Sequence, residues 1–205
     1  MATKQAAKPK RQAAKEAKCP DHYYEDIQGW FYFSNVYRDL VAAAPDGAVF
    51  VEVGCWKGRS TSFLGVEILK SGKKITLHCV DHFKGSDEEA HREDPDLPNL
   101  RAVFDKNMKP CVDAGLDLHV HEMDSESAAL MFADESLDMV WIDAGHDYVS
   151  VRADLNAWKR KVKPGGVLGG DDWPMPGVAR AVVDWLGSRF EVIEENGWKS
   201  WVKRF

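Results

Sequence analysis

The four cysteines, Cys19, Cys55, Cys79 and Cys111, form no C-x-x-C pair. A disulfide framework or zinc ribbon therefore has no scaffold, and the pattern fits reduced thiols in a cytoplasmic protein. No apolar run approaches the roughly 18 residues of a membrane span, and no signal-peptide core is found, so a soluble chain with no membrane partner is expected. There is no internal repeat and no sign of a second domain. A G-x-G-x-x-G dinucleotide fingerprint is also missing. Positive charge is scarce outside the first 18 residues. There Lys4, Lys8, Lys10, Arg11, Lys15 and Lys18 face Glu16 alone, a local +5, so with a net charge of −6 the remainder carries −11. A nucleic-acid binder needs a basic surface, so nucleic acid is not expected as a partner.

What is present suits one soluble domain: 205 residues, 44% hydrophobic and 29% charged, with eight tryptophans for core or cleft walls. Residues 1–22 lack the bulky apolar side chains that order a chain and read as a disordered basic tail. Residues 23–205 read as the folded domain. The apolar pattern from Ile27 to Ala44 is compatible with a helix, closed by Pro45-Asp46-Gly47. Strands are then expected at Ala48–Val53, Lys74–Val80, Leu116–Glu122, Leu137–Ile142 and Gly166–Gly169. Helices are expected at Ser60–Lys70, Asn99–Ala114, Ser125–Phe132, Tyr148–Lys161 and Gly177–Gly187. Asn196-Gly197 signals a terminal hairpin between Phe190–Ile193 and Trp198–Val202. Alternating strands and helices predict an α/β fold with a mostly parallel sheet of seven strands, an antiparallel pair at its end, and helices on both faces.

In such a sheet ligands bind beyond the carboxyl ends of the strands, where the strand order reverses. Glu52-Val53-Gly54-Cys55-Trp56-Lys57-Gly58-Arg59-Ser60-Thr61 follows the first strand and opens a helix. Gly54 and Gly58 allow a tight turn and close approach of a ligand. Ser60 and Thr61 are candidate helix caps beside N–H groups that favour a carboxylate. This E-x-G-x-x-x-G-x-S pattern resembles motif I of class I methyltransferases, whose cofactor is S-adenosylmethionine. The resemblance implies that Glu52 accepts from the cofactor's ammonium group. Asp81, ending the second strand, is placed to accept from ribose hydroxyls. Asp124-Ser125, after the third strand, stand where that superfamily contacts adenine, though both types also cap helices.

Val140-Trp141-Ile142-Asp143-Ala144-Gly145-His146-Asp147-Tyr148 and Pro164-Gly165-Gly166-Val167-Leu168-Gly169-Gly170-Asp171-Asp172-Trp173 each place carboxylates at a strand end. If these strands neighbour each other, Asp143, Asp171 and Asp172 converge. Three packed carboxylates repel, and a hard divalent cation, magnesium or manganese, removes the conflict. Here the chain resembles the metal-dependent sugar O-methyltransferases of the macrocin and mycinamicin type, over about residues 48 to 186. That resemblance implies Asp143, Asp171 and Asp172 as metal ligands, Asp143 also facing the cofactor, and His146 as general base. Many such relatives read Asp-Gly-Asp-His where this chain has Asp143-Ala144-Gly145-His146, so one nearby acid is missing. The expected activity is O-methylation of a small-molecule acceptor with neighbouring oxygens, in a chain compatible with homo-oligomers. The rivals are an NAD-dependent oxidoreductase and a non-catalytic module that binds S-adenosylmethionine. The acidic segment from Lys84 to Asn99 reads as a lid or a solvated loop.

Overall fold

The computed structural model of the protein describes residues 18–86 and 88–205. The basic-tail expectation therefore lies, through residue 17, outside the described residues. Its boundary at residue 22 falls too late, because His22 stacks on Phe63 with ring centroids 4.4 Å apart and meets Glu67 at 2.6 Å.

Seven strands form one sheet: β1 (Val49–Val53), β2 (Thr76–Asp81), β3 (Leu118–Glu122), β4 (Leu137–Ile142), β5 (Val162–Gly170), β6 (Glu191–Glu195) and β7 (Trp198–Arg204). Their order is β3-β2-β1-β4-β5-β7-β6. Neighbours are parallel through β5, while β7 runs antiparallel to both β5 and β6. The order reverses between β1 and β4, which makes their carboxyl ends the expected ligand site. The final hairpin turns on Asn196 (φ 52°) and Gly197 (φ 79°), the left-handed pair that a two-residue turn matching strand twist requires.

The helices are α1 (Ser34–Ala43), α2 (Arg59–Ser71), α3 (Glu89–Arg92), α4 (Leu100–Asp113), α5 (Ser125–Ala129), α6 (Tyr148–Trp158) and α7 (Pro176–Leu186). They cover both sheet faces. Phe33, Tyr37, Phe63 and Phe104 fill one core. Leu155, Trp158, Val182 and Trp201 fill the other. Central strands buried on both faces are mostly apolar, as Val49–Val53 and Leu137–Ile142 are apart from Glu52 and Asp138.

The fifth strand starts earlier than expected, at Val162, the helix after the third strand ends earlier, at Ala129, and the acidic segment holds the short helix α3; the largest departure is at the first helix. The helix starts at Ser34, not Ile27. From Ile27 to Phe33 the chain is not helical, and Ile27, Phe31 and Phe33 are buried while Gln28, Trp30 and Tyr32 are exposed. That period of two is the signature of an extended segment, and Gly29 at φ 144° is a further interruption. The consequence is functional, since Trp30 and Tyr32 are left facing the cleft.

Candidate active site

The carboxyl ends of β1 and β4 meet at Gly54, whose φ is 85° and at which a Cβ would collide with the Asp143 carbonyl. Only glycine fits there. Asp143 N–H donates to Val53 O at 2.8 Å, joining the ends of β4 and β1, and Gly54 N–H donates to Val80 O of β2 at 2.9 Å. The loop after β1 is held by Asp81. Its Oδ2 accepts from the N–H groups of Cys55 (2.8 Å) and Trp56 (2.9 Å), and its Oδ1 from Phe83 N–H at 2.6 Å. Three of about four acceptor positions on this carboxylate are thus filled by backbone. Asp81 still lines the cleft, as do Gly54, Ser60, Ser125 and Asp143.

Four residues expected at the cofactor lie elsewhere. Glu52 is 0% exposed beneath the cleft floor. Its Oε1 accepts from Tyr37 OH at 2.8 Å and its Oε2 from Thr61 Oγ1 at 2.5 Å. Burial raises its pKa, and the hydroxyl bonds oppose that rise. Thr61 is buried in this pair inside α2 rather than capping it, and Ser60 also lies within the helix. The helix begins instead at Gly58 in the left-handed conformation, packed on Phe104 and Met108 away from the cleft lining. Asp124 caps α5, accepting from Ser127 N–H at 2.9 Å, and does not line the cleft.

The catalytic half is built differently. Ile142 of β4 is in register with Gly170 of β5, so Asp143 and Asp171 are the next residues of adjacent parallel strands. Asp172 follows at φ 58°, an uncommon backbone state that turns the chain at the strand end. Burial, then the charges of Asp171 and Asp172, push the Asp143 carboxyl well above its usual range. Burial and Asp172 push Asp171 up to about 7, although Ser200 Oγ donates to its Oδ1 at 2.8 Å. His146 lies between two acids: its Nε2 is 2.8 Å from Asp172 Oδ2 and its Nδ1 is 2.6 Å from Glu88 Oε1. The bond to Asp172 leads in raising its pKa to about 9, so the ring is held protonated near neutrality. Donor atoms of Asp143, His146 and Asp172 all lie within 4.8 Å of one another, the spacing of a cation site. Of the three aspartates expected from the sequence, Asp143 and Asp172 fall in this cluster with His146, while Asp171 lies outside it but close enough for its charge to act on Asp143.

These groups open into one cleft of about 950 Å³. One wall is the segment expected as a lid. Lys57, buried itself, clamps it through Asp94 and Asp96, each at 2.7 Å, and Trp56 stacks on His91 with centroids 4.0 Å apart. Glu88 reaches His146 from the same segment. The lining is also aromatic, with Trp30, Tyr32 and Trp198, and Trp30 meets His91 of that segment at 5.5 Å between ring centroids. The sequence reading missed Glu88, Ser200 and this aromatic wall. Glu88 stood within the acidic segment without a signal separating it from its neighbours, and Ser200 is an ordinary serine in a strand.

A parallel sheet reversing at β1 and β4, with a glycine turn and acids at the strand ends, defines a Rossmann-like methyltransferase fold. Solved structures of that fold match the chain. CalS11, a TDP-rhamnose 3′-O-methyltransferase of calicheamicin biosynthesis, is 17% identical, covers 84% of this chain and 77% of its own, and has a TM-score of 0.56. The O-methyltransferase NovP is 17% identical, with 83% and 78% covered and a TM-score of 0.58. A putative rRNA methylase from Clostridium thermocellum is 12% identical, with 87% and 100% covered and a TM-score of 0.59. At these identities the likeness shows the fold alone. No curated protein sequence matches the chain. The model of the Methyltransferase domain family matches residues 51–173, and the chain belongs to that family. It is an S-adenosylmethionine-dependent methyltransferase.

Proposed function

We propose that the protein methylates a hydroxyl of a small, sugar-like or catechol-like molecule with neighbouring oxygens, with a divalent cation, magnesium or manganese, at the acid cluster. The observation that carries this reading is the convergence of Asp143, His146 and Asp172 donor atoms within 4.8 Å at the strand ends. Buried acids that raise one another's pKa gain from a cation, and such unresolved charge in a cleft marks a functional site. Asp143, Asp172 and Asp171 supply oxygen donors suited to a hard ion, with His146 beside them.

The donor cofactor fits the other half of the cleft. Gly54 lets the ends of β1 and β4 close up beneath it, and Ser60, Asp81 and Ser125 line it with polar groups. A bound cation would supply charge neutralisation and a lowered hydroxyl pKa in the acceptor. The protein's own residues do the rest. The Trp30, Tyr32 and Trp198 wall excludes water from the acceptor side. His146 is a base only once one of its two acids turns away, because between Glu88 and Asp172 it already carries a proton. With Asp172 engaged elsewhere, the Nε2 proton is lost to solvent and the neutral ring can accept the hydroxyl proton at Nε2, a contribution of about 10²–10⁴-fold for general-base help. A bound S-adenosylmethionine would supply the methyl group: its CH3–S bond would break as the CH3–O bond forms, with S-adenosylhomocysteine as the leaving group.

The test is transfer of a tritiated methyl group to a panel of vicinal-oxygen acceptors, with and without chelator. Metal-dependent methylation of an acceptor hydroxyl, lost in Asp143→Ala and Asp171→Ala, is expected. Transfer that survives chelation undiminished contradicts the metal's role, and transfer only to nitrogen or to RNA contradicts the acceptor class.

A further inference from the structure

Three of the seven histidines gather far along the sequence from the acid cluster, on one face of the β2–β3 edge. His78 of β2 is in register with His119 of β3, and His121 lies two residues further along, so all three side chains leave the same side of the sheet. The rings are in contact: His78 and His119 stack with centroids 4.9 Å apart, and His78 and His121 at 5.2 Å. Nδ1 of His78 and Nε2 of His121 are 2.9 Å apart, so they share a single proton. Phe132 closes the cluster at its back, edge-on to His78 at 5.0 Å. Asp117 stands 3.1 Å from Nε2 of His119 and is itself anchored by Thr76 Oγ1 at 2.8 Å.

We propose that His78, His119 and His121 form a binding site for a borderline divalent transition ion such as zinc, separate from the acid cluster. The donor chemistry selects the ion. Neutral imidazoles suit zinc or nickel, whereas magnesium prefers oxygen. Nδ1 of His78 and Nε2 of His121 already lie 2.9 Å apart on this face, so two imidazole donors are side by side. Asp117 plays the part of the carboxylate behind a ligating imidazole. Its contact with His119 Nε2 places the proton there and leaves Nδ1 as the donor. Whichever of His78 and His121 carries the proton between them moves it to its own far nitrogen, so no net proton is released. In the ion-free arrangement the rings stack instead of converging, and rotation of the exposed His119 and half-buried His121 side chains admits the ion.

The test is zinc titration by calorimetry with excess magnesium present, which occupies the acid cluster. One zinc per chain is expected. Replacing His119 and His121 together with alanine is expected to weaken it at least about 100-fold, and Asp117→Asn about 10-fold, the lower end for loss of such a partner. Undiminished zinc affinity in the double variant overturns the site. In the wild-type protein, imidazole nitrogen NMR reads the same question without a variant that could misfold. Joint shifts of the His78, His119 and His121 rings at one equivalent support the site. Shifts confined to His146, or zinc displaced by magnesium, overturn it.

Discussion

The two halves of the cleft handle buried acid in opposite ways. In the half built from β1 and β2, every buried carboxylate is answered from within the fold. Glu52 has two hydroxyls, and Asp81 has three backbone N–H groups. In the half built from β4 and β5, Asp143, Asp171 and Asp172 face each other; His146 meets Asp172, and Ser200 and the Asp172 backbone meet Asp171, yet burial and mutual repulsion still raise the pKa values of Asp143 and Asp171. The comparison teaches how to tell structure from chemistry among acids at strand ends. A carboxylate whose lone pairs are filled locally stabilises a loop, while one left in conflict is held for something that is not part of the chain.

The sharpest way to break this contrast is to neutralise one acid of the conflicted half. Asp143→Asn or Asp172→Asn is expected to lower methyl transfer by about 10³-fold, near 4 kcal/mol of barrier. Denaturation midpoints should be unchanged or higher, since repulsion is relieved. A large stability loss with transfer retained would make these acids structural.

Gly54→Ala strikes both halves at once. Its Cβ meets the Asp143 carbonyl at a φ of 85°. Overpacking and backbone strain together are expected to cost about 3 kcal/mol, read by urea denaturation.

Asp154, buried behind Ser125, tests the same principle by pH. Burial raises its pKa to about 6, above the ordinary 3.8. The folded state therefore holds a proton that the unfolded state releases between these values. The stability it contributes is full below about pH 4 and lost as pH rises through about 6. Asp154→Asn is expected to flatten that decline, by up to about 3 kcal/mol between pH 4 and 8. An unchanged pH profile would contradict the assignment.

Glu52→Gln sharpens the contrast from the satisfied side. It disturbs the bonds with Tyr37 and Thr61, and a loss of about 1–3 kcal/mol in stability is expected. Methyl transfer per folded molecule should stay within a few-fold of wild type. A loss as great as that of Asp143→Asn would place Glu52 in the chemistry after all.

The sheet was legible because strand and helix periods alternate cleanly after Pro45, and Asn196-Gly197 marks its own turn. The segment Ile27–Phe33 misled because aromatic residues satisfy a helical and a two-residue period alike, and only the fold shows which face each takes. Within the site, Gly54, Asp143, Asp171 and Asp172 were readable from their places after strands, since topology alone brings strand ends together. Glu52 and Thr61 were not, because position in a motif does not say which side of a strand, for Glu52, or of a helix, for Thr61, turns inward. Glu88 was hidden for another reason: its partner His146 lies 58 residues away.

The central claim is that acids from β4 and β5 converge to hold one divalent cation beside the methyl donor's site. Manganese binding followed by electron paramagnetic resonance, with S-adenosylhomocysteine present, reads this without knowledge of the acceptor. One manganese per chain is predicted, displaced by magnesium and lost in both Asp143→Asn and Asp172→Asn. No bound manganese, or binding undisturbed in both variants, would contradict it.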